Sequence, residues 1–140
     1  MSMFRIFDVS GSAVSAQSQR LNVVASNLTN ADTVAGPDGK AYKARQVVFQ
    51  TALMGAGGAL GPDSSAGVRV STVREDESPG RRVHDPKHPA ADAEGYVTFS
   101  NVSAVEEMVN MISASRSYQN NVEVMNTAKS LLLKTLQMGQ

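Results

Sequence analysis

Apolar residues near the start of the chain recur every seven positions: Phe7, Val14, Leu21 and Leu28 share one row, with Val24 and Ala31 beside it. A seven-residue spacing held over about three repeats lays a single apolar seam along a helix and predicts a coiled-coil face. Asn30 is a candidate left-handed terminator for that helix, and Asp32-Thr33 followed by Gly36-Pro37 stops it. The end of the chain carries a longer pattern. Met108, Ser115, Val122, Lys129 and Leu136 form one heptad row, and Met111, Tyr118, Met125 and Leu132 form its partner. Val105, Ile112 and Leu133 occupy a second face. Ser103 and Glu106 have capping-box spacing, and nothing between them and Met138 breaks a helix. The helix expected there is ~36 residues and ~54 Å long at 1.5 Å per residue. Both of its ends are apolar, whereas residues 113–121 are mostly Ser, Arg, Gln and Asn.

The middle reads differently. All five Pro and nine of the eleven Gly lie between Gly36 and Gly95, where they exclude long helices. Short strand candidates are residues 42–50, with Val47-Val48-Phe49, residues 68–73, with alternating Val68, Val70 and Thr72, and residues 96–99. Residues 54–67 are rich in Gly, Ala and Ser and read as a flexible loop. The expected fold is therefore mainly α. Its long N- and C-terminal helices pair as a coiled-coil core, with a small irregular or β insert between them. The segments are 1–35, 36–100 and 101–140.

Composition narrows the chemistry. Among 140 residues, 13 Lys plus Arg balance 13 Asp plus Glu. That removes the basic excess on which nucleic-acid binding or docking on an anionic membrane depends. The balance holds locally: residues 1–40 carry three charges of each sign, 41–100 seven, and 101–140 three. Without Cys there are no disulfides, thiolate metal ligands or cysteine nucleophiles. No apolar stretch reaches the roughly 20 residues of a membrane span. The apolar start is cut by Asp8, Ser10 and Gly11, which predicts a chain that carries no cleaved secretory signal.

The one constellation able to suggest a metal or catalytic site is His84, Asp85, His88 and Asp92. His residues four apart converge only on a helix, and Pro86 and Pro89 forbid one, so a turn with Asp85 or Asp92 capping local amides is expected. Glu106 and Glu107 point about 100° apart on a helix and do not converge, so a macrodipole role is the simpler reading. The segment Gly55-Ala56-Gly57-Gly58 lacks the Lys-Ser/Thr of a phosphate loop. Neither an enzyme nor a cofactor is expected. The residues by themselves describe a helical assembly protein.

Several segments also resemble a known family. Ala25-Ser26-Asn27-Leu28-Thr29-Asn30-Ala31-Asp32-Thr33 looks like the motif closing the N-terminal helix of flagellar rod and hook proteins, with Tyr42-Lys43-Ala44-Arg45 following it. Asp85-Pro86-Lys87-His88-Pro89 through Gly95-Tyr96-Val97, and residues 105–129, resemble proximal rod subunits of that family. Asn27, Leu28, Asn30, Ala31, Asp85, Pro86, His88, Pro89, Gly95 and Tyr96 carry the match.

The resemblance implies a structural subunit that leaves through the flagellar type III export apparatus and polymerises into a drive shaft crossing the periplasm. Its partners would be itself and other rod subunits, with no nucleic acid, no small-molecule substrate and no membrane insertion. It also implies terminal helices that order and pair on assembly. Phe7, Val14, Leu21, Leu28, Met111, Tyr118, Met125 and Leu132 are the expected intrasubunit coiled-coil positions. Val105, Ile112, Gln119, Asn126 and Leu133 are the expected intersubunit ones. The alternatives are a soluble coiled-coil adaptor or export-associated binding protein, and a small hydrolase or metal protein using His84, His88 and Asp85.

Overall fold

Two long helices bracket a β-rich centre in the computed structural model, which describes residues 3–54 and 65–139. Helix α1 spans Met3–Thr29 and helix α2 spans Ala104–Met138. At 1.5 Å per residue, the 35 residues of α2 extend ~52 Å. The α2 start follows its sequence signal. Ser103 takes an extended backbone (φ −92°, ψ 109°), and its hydroxyl accepts the Glu106 N–H at 3.4 Å. Glu106 and Glu107 then sit where the helix dipole favours negative charge.

Helix α1 stops by a different device from the one expected. Asn30 is not left-handed: among the described residues only Gly39 (φ 70°) and Gly95 (φ 80°) have positive φ. Instead the Asn30 N–H reaches both Ser26 O and Asn27 O, and its side-chain amide donates back to Ser26 O at 2.8 Å. The last turn tightens and satisfies carbonyls that the helix end would orphan.

Strands β1 (Arg45–Met54) and β2 (Ser65–Glu75) pair antiparallel from Arg45↔Glu75 to Met54↔Ser65, with a bulge between Val48 and Phe49. Strands β3 (Arg82–His84) and β4 (Tyr96–Thr98) make a second two-stranded sheet. The chain leaving α1 joins its edge through the Val34↔Phe99 bridge and the Ala35 N–H to Thr98 O bond of 2.8 Å. Gly80 permits that closure, because a Cβ there would lie 2.2 Å from Phe99 O.

The expectation of a mainly α coiled coil with a small irregular insert is overturned. The central segment builds a ribbon of ten- and eleven-residue strands that packs on α1, and a separate second sheet. The architecture is two helices flanking antiparallel β structure. The error had a physical source. Val47-Val48-Phe49 and residues 68–73 read as short strands because the Gly and Ala beyond them lack β propensity. Cross-strand pairing extends the ladder to Met54, Ser65 and Gly67 regardless. The rest of the expected Gly-rich loop, residues 55–64, lies outside the described residues. Strand β3 was not expected at all.

Helix α1 is the shared element. Helix α2 packs along it, β2 and to a lesser extent β1 pack on it, and α2 faces the start of β1 across a groove lined by Arg45, Gln46, Val47, Glu106, Glu107 and Asn110. Among the described residues the buried apolar positions are small: Ala16, Ala31, Ala44, Ala114 and Ala128, with only Val24 and Val97 larger.

Candidate assembly surfaces

Side-chain contacts run α2 antiparallel to α1. Asn27, near the end of α1, meets Glu107 near the start of α2, and Arg20 meets Asn110. At the other end, Met3 and Ile6 border a cavity of about 250 Å³ with Val124, Thr127 and Leu131. The α2 side chains turned inward follow a three-four rhythm: Glu107, Met111, Ala114, Tyr118, Asn121, Met125, Ala128 and Leu132 are buried or half-buried. Ala114 and Ala128 vanish from solvent, so the two backbones come close with little bulky packing between them.

Large apolar side chains lie instead on the outside of α2. Val105, Met108, Val109 and Ile112, spaced i, i+3, i+4 and i+7, are 73, 56, 62 and 57% exposed. The last turns carry Leu133, Leu136 and Met138, all exposed. A solvent-facing apolar stripe of this length marks an interaction surface in a soluble chain, and its helical spacing suits another helix.

Polar chemistry concentrates at the root of the β1–β2 ribbon. Asn27, 0% exposed, donates to Arg45 O (2.8 Å) and Glu107 Oε2 (3.0 Å). Its Oδ1 accepts from the Arg45 N–H and the Tyr42 hydroxyl, both at 3.0 Å. Asn101, just before α2, accepts the Ala44 N–H at 2.6 Å and donates to Asp76 O and Ser78 O at 2.9 Å. Buried Ser100 ties the same segment to the α1 exit by donating to Ala31 O at 2.6 Å. Nearby, Lys43 forms an ion pair with Glu77, whose hydrogen bond holds the ammonium above its usual pKa.

The expected chemical constellation forms a closed turn. The Asp92 carboxylate accepts the N–H groups of Tyr96 and Glu94, and the Tyr96 bond lowers its pKa. Asp85 accepts from the Lys87 N–H, and His88 Nδ1 accepts from the Ala90 N–H. His84 meets the Tyr96 ring edge-on at 5.0 Å, and Arg82 stacks on that ring at 4.7 Å. Gly95 is needed for its positive φ, with Pro86 packed closely beside it. Pro86 itself is exposed, as is Pro89. Among the described residues, no three metal-ligating side chains come together, and no helix is long and apolar enough to cross a membrane.

Phe7, Val14, Leu21, Leu28, Met111, Tyr118, Met125 and Leu132 are all half-buried, whereas Val105, Ile112, Gln119, Asn126 and Leu133 are all exposed. Among the motif residues, Ala31 is buried with Asn27, and Asn30 is half-buried at the helix stop. The heptad row starting at Met108 does not partner the Met111 row in the seam: Met108, Lys129 and Leu136 face solvent. The row Glu107, Ala114, Asn121 and Ala128 takes that place. Hydrophobicity hid it, because two alanines, a carboxylate and an amide carry no apolar signal. Asn101 and Ser100 were also missed, and only their place immediately before a helix cap pointed to them.

An antiparallel helix pair with alanines buried in its seam and a large apolar stripe left exposed on α2, carrying a hydrogen-bonded β ribbon and no assembled metal-ligating cluster among the described residues, has the features of a structural subunit. Comparison with known proteins gives the particular class. Residues 7–37 match the family described as Flagella basal body rod protein, and residues 93–138 match Flagellar basal body rod FlgEFG protein C-terminal. Over 100% of both chains, the sequence is 59% identical to flagellar basal-body rod protein FlgC of Yersinia enterocolitica and 57% identical to that of Escherichia coli O157:H7. The corresponding protein of Buchnera aphidicola subsp. Baizongia pistaciae is 38% identical, again over 100% of each chain. The chain belongs to the FlgC family of flagellar basal-body rod proteins and is a structural rod subunit of the flagellar basal body.

Proposed function

We propose that the chain builds the proximal rod by packing its terminal segments, residues 1–35 and 101–140, against neighbouring rod subunits, while residues 36–100 form the insert between them. The observation that carries this reading is the exposed stripe Val105, Met108, Val109 and Ile112 on the side of α2 away from its seam. An open array needs different surfaces on the two sides of each subunit, and apolar residues on more than one face of α2 supply them. Phe7, Val14, Leu21, Leu28, Met111, Tyr118, Met125 and Leu132 act as intrasubunit packing. Val105, Ile112, Gln119, Asn126 and Leu133 act between subunits. Isolated helices of this kind are marginal, so subunit addition supplies the burial that orders them. The chain reaches its site through the flagellar type III export apparatus, and the rod it joins crosses the periplasm. Its role is mechanical rather than catalytic.

The test is co-purification with detergent-extracted basal bodies. The chain should be present there, its free form should show protease-sensitive ends, and deletion of residues 131–140 should abolish motility without unfolding the β ribbon. Absence from basal bodies, together with a discrete soluble dimer by light scattering, would replace this reading with a free adaptor.

A further inference from the structure

Helix α2 and the β1–β2 ribbon do not pack backbone to backbone but face each other across a groove, and both are tied to one buried side chain. The Asn27 amide grips Arg45 twice, donating to its carbonyl and accepting from its N–H, in the manner of one residue of a neighbouring strand. A single bond would let the start of β1 swivel, whereas this two-point grip fixes its orientation; farther along the ribbon the Val68 N–H donates to Ser12 Oγ of α1 at 3.0 Å. The remaining donor of the same amide is spent on Glu107 of α2 and the remaining acceptor site on Tyr42. All four hydrogen-bonding sites are filled at 0% exposure, so losing any partner leaves a buried polar group unmet. From the opposite side of the root, Asn101 holds Ala44 and the end of β2.

We propose that Asn27 is a positioning residue that makes the orientation of the β1–β2 ribbon at its root depend on the pairing of α2 with α1, with Asn101 as the second pin. Withdrawal of α2 removes Glu107 from the Asn27 N–H, and the amide is then free to reorient and loosen its grip on Arg45. The root of the ribbon is therefore held in one orientation only in a subunit whose helices are paired, while Ser12 keeps the middle of β2 on α1 in either state. The inference rests on the assembly reading above and adds the coupling between its terminal segments and its insert.

The chain has no native cysteine, so paired spin labels can be introduced cleanly at exposed sites. Labels at Gln19 and Ser71 report ribbon direction, and labels at Gln19 and Gln119 report helix pairing, in isolated basal bodies diluted with unlabelled subunit. The wild type should give two narrow distance distributions. In Asn27→Asp the carboxylate cannot donate and faces the Glu107 carboxylate. The ribbon distribution should widen at least twofold while the helix distribution stays narrow. The groups around position 27 are Glu107, Glu106, Arg20, Arg45 and Tyr42. Burial and the Glu107 charge both raise the introduced carboxyl's pKa, so acidification from pH 7.5 to about 5 should return an O–H donor and narrow the ribbon distribution again. Glu107→Gln keeps an acceptor for Asn27 and should leave both distributions narrow.

Should Asn27→Asp fail to enter the rod, Asn101→Ala must widen the ribbon distribution alone. A ribbon as narrow in these variants as in the wild type, or one widened in Asn27→Asp but indifferent to acid, overturns the proposal. Continued presence of the variants in basal bodies would leave the assembly reading standing.

Discussion

The ribbon root and the outer face of α2 treat their chemistry in opposite ways. At the root, Asn27 and Asn101 satisfy backbone groups from two segments, the start of β1 and the chain just past β2, and each amide uses both its oxygen and its nitrogen. On α2, Val105, Met108, Val109 and Ile112 each leave more than half of their surface in water. Among the described residues, fifteen large hydrophobic residues are exposed, while two residues larger than Ala count among the buried apolar ones. The contrast teaches where specificity and where driving force reside. Hydrogen-bonded junctions set geometry within one chain, and on the assembly reading proposed above the apolar area withheld from the core would be buried between chains, at about 25 cal/mol per Å².

Variants at the two regions should therefore separate stability from assembly. The largest effect on stability is expected from Ala114→Leu, which forces three extra carbons into a seam with no exposure. Overpacking should cost ~1–3 kcal/mol, visible as a lower urea midpoint, and rod incorporation should fall with it. Next, Gly80→Ala places a Cβ 2.2 Å from Phe99 O. Amide protection of β3 and β4 should collapse, at a cost of about 1 kcal/mol or more, while the helical circular-dichroism signal is retained. Loss of helix in that variant would mean that the root and the seam are not separable.

A smaller effect follows from Asp92. Its folded pKa lies below the ordinary 3.8 because it accepts the Tyr96 N–H. A depressed carboxyl contributes stability that is present above the unfolded value and is lost as pH falls through the folded one. Exchange of the Tyr96 amide should accelerate, relative to its intrinsic rate, only below about pH 4, and Asp92→Asn should abolish that transition. Smallest on stability is Ile112→Asp on the exposed stripe, expected within ~0.5 kcal/mol of wild type for the free chain. The same variant should nevertheless stop swimming. A motile Ile112→Asp strain would remove the stripe from the assembly surface.

Much of the fold was legible in the sequence, although its class was not. That both ends of the chain are helical followed from the absence of Pro there, although α1 contains Gly11 and stops at Thr29, and the Ser103 cap followed from its spacing to Glu106. The turn across residues 84–96 followed from two X-Pro units and two capping carboxylates. The ribbon was read too short, because propensity weighs a residue by its own preferences while Gly67 and Ala66 are held by Ala52 and Leu53 opposite them. The second seam row was misassigned because small and polar residues are chosen there for closeness rather than hydrophobicity.

The sequence alone determined which segments could be helical, that each segment is separately neutral, and that the motifs are those of a rod protein. These are properties of neighbours along the chain, where periodicity, breakers and capping act within a few residues. Tertiary structure alone decided that Asn27 meets Glu107 and that Asn101 meets Ala44, contacts separated by 80 and 57 residues. It also decided which face of α2 is spent on α1 and which is left open. A buried amide and an exposed one have the same sequence signature, and only the three-dimensional arrangement of partners makes one of them a pivot.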